Sequence, residues 1–198
     1  MAGVVGPRRC SVPISGAKLL KTGQTTIYAT GDDGDIQAGR DVDFFTLAVN
    51  NPFGNTNRFT DELGGSTYTN NIVIDWSTYD GVEVLGYYRV LSSASDWSTA
   101  INWALTLSVG SFTSGWRLVN IHEIFNTFYT DGTNAILDNR IAPFNYPSAQ
   151  IWTSTSTGGS TAWFSRNYVA SPFINGIKTT PYQGMAVRTF TVTGTTLT

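Results

Sequence analysis

A chain of 198 residues that is 41% hydrophobic and 13% aromatic carries enough apolar material for one sizeable core, yet only 13% of it is charged, about half the usual share. The formal charge of −2, with no Lys/Arg run longer than Arg8-Arg9, leaves no positive field to gather phosphate backbones, which argues against nucleic acid as a partner. A single cysteine, Cys10, excludes an internal disulfide and a cysteine-based zinc site, and no apolar run approaches the roughly 20 residues that a membrane-spanning helix needs.

Residues 1–18 hold Gly3, Gly6, Pro7, Pro13 and Gly16 beside the basic pair, and read as an extended N-terminal arm, either a plain tail or a tether to a larger assembly. Met1 to Ala17 lacks the continuous apolar stretch of a secretory signal, so a role outside the cell is expected to go through assembly into a virion released by lysis. From Leu19 to Ile74 turns punctuate short β-prone pieces: Gly31-Asp32-Asp33-Gly34-Asp35, Asn50-Asn51-Pro52-Phe53-Gly54 and Gly64-Gly65. Asp32, Asp33 and Asp35 are hard-oxygen candidates for calcium, but the loop lacks the position-12 glutamate of an EF-hand, and the solvated turn is the favoured reading over a metal site.

Strands are predicted at Asn71–Trp76 and Gly81–Leu91. A first helix follows, in which Trp97, Ala100, Ile101, Ala104 and Leu105 recur at helical spacing behind a cap at Ser95 or Asp96, with Gly110 placed to end it. In a second helix Asn120 caps, Glu123 completes a capping box three residues later, and Ile121, Ile124, Phe125 and Phe128 form the apolar stripe. After Tyr129 a polar loop leads to strand-like runs at Ile151–Thr155, Ala162–Tyr168 and Met185–Val192. The last of these alternates Met185, Val187 and Thr189 against Ala186, Arg188 and Phe190. The pattern predicts an α+β domain with a mostly antiparallel sheet and two short helices over residues 19–198.

Several separated blocks resemble one family, the C-terminal domain of the collagen-like bacterial adhesin Lcl and its relatives in bacterial surface and phage proteins. They are Lys21-Thr22-Gly23-Gln24-Thr25 with the Asp32–Asp35 turn, Arg58-Phe59-Thr60-Asp61 to Trp76, and the helix with Trp97 and Ala100. Gly115-Trp116-Arg117-Leu118 running into Asn120-Ile121-His122-Glu123-Ile124 follows, then Ile151-Trp152-Thr153-Ser154-Thr155, Ala162-Trp163, Lys178 and Ala186-Val187-Arg188. The order is similar over residues 19–192. The chain departs from the pattern at Val119, where a proline is expected, around Ile72–Trp76, and at Phe164-Ser165-Arg166-Asn167, which replaces a more acidic run. The resemblance implies a C-type-lectin-like fold, related to formylglycine-generating enzymes, used in adhesion to sulfated or other glycans and often as a homotrimer.

Catalysis needs a nucleophile or a paired acid and base. His122 is the sole histidine and reads as a solvated or cap-supporting residue, and the cysteine pair of a copper-dependent formylglycine-generating site is missing; no enzyme, cofactor or metal is expected. Trp97, Trp116, Arg117, Glu123 and Arg188 are assigned structural duties. The candidate ligand surface lies between Ile151 and Tyr182: Trp152, Trp163, Tyr168 and Tyr182 offer faces that stack on sugar rings, and Ser154, Ser165, Arg166 and Asn167 offer polar partners. A competing expectation buries Trp152 and Trp163 in strands. The function expected is a non-enzymatic binding protein on a virion surface, recognising a host-surface glycan or receptor and attached to other virion proteins through the arm. The alternatives are a structural virion protein that uses this surface for subunit packing, or a bacterial surface adhesin.

Overall fold

The computed structural model describes residues 30, 46–47, 49–125, 127, 143–144, 149–166 and 173–198. The N-terminal arm, Cys10, the turn with Asp32, Asp33 and Asp35, Phe128, Asn167 and Tyr168 lie outside the described residues.

The fold is mixed α+β, mostly strands, in two sheets. The larger sheet is antiparallel throughout, in the order β1 (Phe59–Thr60), β2 (Ile72–Asp75), β3 (Glu83–Tyr88), β9 (Ala186–Thr193) and β10 (Thr196–Leu197), with β4 (Arg117–Leu118) pairing beside the start of β9. The smaller sheet runs β7 (Phe173–Ile177), β6 (Thr161–Arg166), β5 (Gln150–Ser156), β8 (Gln183–Gly184), and only the β5–β8 pair is parallel. Among the described residues the α-helices are α1 (Trp97–Leu105) and α2 (Ile121–Phe125).

The predicted strands recur with shifted ends. Trp76 leaves β2 to begin a single 3-10 turn, because the Asp75 carboxylate accepts from the Ser77 N–H and caps it. All four residues of β2 are buried because both faces of this sheet are covered. Ile72 and Ile74 enter one apolar cluster with Trp116, Trp152 and Phe190, while Val73 enters another with Tyr87, Ile124 and Val187. The same split sends Ala186 and Phe190 of β9 one way and Val187 the other. At Gly86 the Phe190 ring lies where a Cβ would stand, 2.4 Å from that position, so the strand crossing tolerates no side chain there.

Asp96, and not Ser95, caps α1: its carboxylate accepts from the Thr99 N–H at 2.8 Å. Gly110 does not end this helix. The helix stops at Thr106, whose hydroxyl donates to the Asn102 carbonyl, and Gly110 instead takes φ +57 in the tight turn closed by Val109 and Phe112. Leu105 and Phe125, expected on buried stripes, are 58% and 49% exposed. The core-facing positions of α1 are Ala100 and Ala104, and that of α2 is Ile124.

Two polar devices hold the β1–β2 corner. Arg58 and Asp75, both fully buried, form a two-pronged ion pair with both contacts at 2.8 Å, and the guanidinium lies 4.4 Å from the Phe59 ring centre. Beside them the Trp76 indole N–H donates to Thr60 Oγ1. The adjoining turn folds around Asp61, whose carboxylate accepts from the Leu63, Gly65 and Tyr68 N–H groups and the Thr67 hydroxyl. Burial pushes the Asp61 pKa up, but these hydrogen bonds outweigh it and hold the group below the ordinary value of 3.8. A carboxyl depressed on folding stabilises above its unfolded pKa, and that contribution fades as the pH falls through the folded value. Wild type should therefore lose stability below about pH 4 more steeply than Asp61→Asn, measured by urea unfolding across the acid range; parallel curves for the two would contradict this.

Candidate functional site

The second helix is locked by a reciprocal cap. Asn120 Oδ1 accepts from the His122 and Glu123 N–H groups, Glu123 Oε2 accepts from the Asn120 N–H, and the same carboxylate takes both ends of the Arg117 guanidinium. Hydrogen bonding to Glu123, larger than the opposing burial, raises the Arg117 pKa further. His122 lies exposed beside this cap, and the neighbouring carboxylate is committed to Arg117 and the backbone, so the pair is not arranged for acid–base work. Trp116 is buried with its N–H on the Phe112 carbonyl. Trp97 donates to the Thr153 carbonyl beneath the Lys178 ammonium, which lies 4.0 Å from its ring. Arg188 is held between Phe112 and Phe190, 4.9 and 4.7 Å from the two ring centres, and burial lowers its pKa. Among the described residues no group of three or more His, Cys, Asp or Glu side chains converges as metal ligands would.

The candidate surface between Ile151 and Tyr182 does not form one patch, because successive residues of β5 and β6 point to opposite faces of the small sheet. On the inner face Trp152, Ala162 and Phe164 join the core. Trp152 is fully buried, with its ring 5.8 Å from Phe164 and 4.8 Å from Tyr182, and its indole N–H donates to the Ser95 carbonyl. Gly176 lets Phe164 and Trp152 lie directly against β7, with atoms of both within 3.2 Å of where a Cβ would stand. Trp152 therefore offers no face to a ligand, which corrects that expectation. Tyr182 is half-buried and spends its ring on Phe164 at 4.2 Å.

Ser165 is likewise corrected. It points to the outer face but is fully buried, and its hydroxyl has no hydrogen-bond partner among the described residues. Ser154 is half-buried, tied by its N–H to the Val119 carbonyl. Arg166 alternates to the side opposite Trp163, with its Nε buried and without an acceptor among the described residues.

What remains is the outer face of β6 and β7. Trp163 is half-buried there and stands directly opposite the exposed Asn175, with Thr161 opposite Ile177, which is 61% exposed. The Thr157 hydroxyl donates to Asn175 Oδ1 at 2.8 Å and lies 2.9 Å from Thr161 Oγ1. The face is bounded at one end by α2, whose Ile121 N–H donates to Thr155 Oγ1 and whose Phe125 packs on Phe173 with ring centres 5.8 Å apart. At the other end lies the turn at 157–160, tied down by the Lys178 ammonium on the Gly158 carbonyl. These residues combine a flat apolar ring with hydroxyl and amide groups and no charge at the centre.

The sequence reading picked out Trp163 but missed Thr157, Thr161 and Asn175. Strict alternation along 161–166 was the available signal separating Trp163 from Phe164; the pairing with Asn175 across β7 is a register that only the fold supplies. A scan against protein-family models finds no match to this chain, and no curated protein matches it.

Proposed function

We propose that this chain is a non-enzymatic recognition domain of the C-type-lectin-like kind, displayed on a virion and binding a host-surface glycan or receptor through the outer face of β6 and β7. The observation that carries the reading is the Trp163 ring set beside Asn175, Thr157 and Thr161 on an uncharged part of that face. Recognition sites of this kind combine aromatic area with a few placed polar groups. The ordered resemblance over residues 19–192 supports it, as does a surface with few charges. The N-terminal arm would join the domain to other virion proteins, and presentation as a homotrimer would raise a weak single-site affinity roughly 100- to 10,000-fold.

Binding of the purified protein to intact candidate host cells, compared with Trp163→Ala, tests the reading. Trp163→Ala is expected to abolish cell binding while the variant remains folded; undiminished binding by the variant would sink it. A second reading, a structural virion protein, is favoured by the exposed apolar residues Phe125 and Ile177 at the two ends of this face. It predicts instead that Trp163→Ala impairs particle assembly and leaves host attachment by assembled particles unchanged.

A further inference from the structure

We infer that the ligand of the Trp163 face is a neutral saccharide, held by stacking on the indole and by the two amide protons of Asn175. This rests on the recognition reading above and specifies its chemistry.

A threonine hydroxyl has a single proton to give. Thr157 donates to Asn175 Oδ1 at 2.8 Å and also lies 2.9 Å from Thr161 Oγ1. The Thr157 contact turns the amide carbonyl of Asn175 inward. Its carbonyl is consumed inside the network, and its –NH₂ has no hydrogen-bond partner among the described residues on an exposed side chain. Asn175 stands opposite Trp163 across the β6–β7 pair, on the same face, where side chains of directly opposed residues are neighbours. An indole face beside a pair of fixed N–H donors matches the C–H patch and adjacent hydroxyl oxygens of a pyranose ring.

Charge decides the class of sugar. A sulfate or carboxylate needs a cation to replace its lost hydration. Among the described residues, Lys178 at the edge of the face is engaged with the Gly158 carbonyl and the Trp97 ring, and Arg166 alternates to the other side of the sheet. The centre of the site offers amide and hydroxyl groups only.

The test is an array carrying neutral saccharides ending in glucose, galactose, mannose or N-acetylglucosamine beside sulfated and sialylated ones. It is probed with the full chain and with Trp163→Ala, Asn175→Asp and Thr157→Val, each checked by thermal unfolding to remain folded. Binding to a neutral saccharide, insensitive to salt, is expected to fall at least tenfold in Trp163→Ala and in Asn175→Asp, which replaces both donors by acceptors. Thr157→Val, which frees the amide to rotate, should give a smaller loss. Binding confined to sulfated or sialylated glycans and weakened by salt would overturn the inference, as would Trp163-dependent attachment to cells with no glycan bound; in both cases the recognition face itself stands. Attachment to cells that ignores Trp163 would overturn the recognition face as well.

Discussion

Asp75→Ala is expected to destabilise the fold by about 3–5 kcal/mol, because it strands the Arg58 guanidinium, fully buried, without the carboxylate that compensates it. The same carboxylate also caps the 3-10 turn through the Ser77 N–H, so the turn carrying Trp76 loses its anchor in the same step. For a chain of this length the loss corresponds to a fall of about 6–20 °C in the melting temperature. Replacing both partners, as in Arg58→Met with Asp75→Leu, removes the uncompensated charge and should recover much of that loss, since a buried pair often contributes little beyond an apolar equivalent. Thermal and urea unfolding of Arg58→Met, Asp75→Leu and the double variant form the cycle that checks this. A double variant as unstable as the sum of those two singles would show no coupling between the residues and would contradict this.

Trp152→Ala is expected to cost about 3–5 kcal/mol through the cavity it leaves between β5, Phe164 and Tyr182. The indole N–H bond to the Ser95 carbonyl is lost with it, which unfastens the segment leading into α1 from the small sheet. Whatever fraction remains folded should bind its ligand as the wild type does. Trp163→Ala should behave differently, with a smaller loss of stability than Trp152→Ala and with binding lost. The two tryptophans are eleven residues apart on paired strands, and measuring melting temperature and ligand binding on both variants separates core from recognition surface. Loss of binding in folded Trp152→Ala would contradict the assignment of faces.

Composition and local pattern were enough for the α+β class, for both helices and for the Asn120 cap; they narrowed the cap of α1 to Ser95 or Asp96 and misplaced its end at Gly110. Asp96 before Trp97, and Asn120 with Glu123 three residues on, act within one turn of backbone, so their chemistry is complete in a short stretch of chain. Five of the six longer strands, β2, β3, β5, β6 and β9, were legible for the same reason, since side-chain alternation and β-branched content are local properties; β7, with Gly176 inside it, was not. The short strands β1, β4, β8 and β10, each of two residues, were not, because so brief a run carries no period and exists only through its partner strand.

The buried Arg58–Asp75 pair spans 17 residues and carries no local signature. Nor does a strand reveal which of its two faces meets the core, and a shift of one residue exchanges them. Trp152, Ser165, Arg166 and Trp163 look alike as aromatic and polar candidates in the chain. The sheet sends Trp152 into the apolar cluster, seals Ser165 under the outer layer and turns Arg166 to the other side. Only Trp163 is set beside Asn175. The sequence by itself determined most of the longer elements and the side chains that cap the helix starts, because these depend on contacts within a few residues. The tertiary structure decided which side chains share a face, because register and burial arise only when distant strands pair.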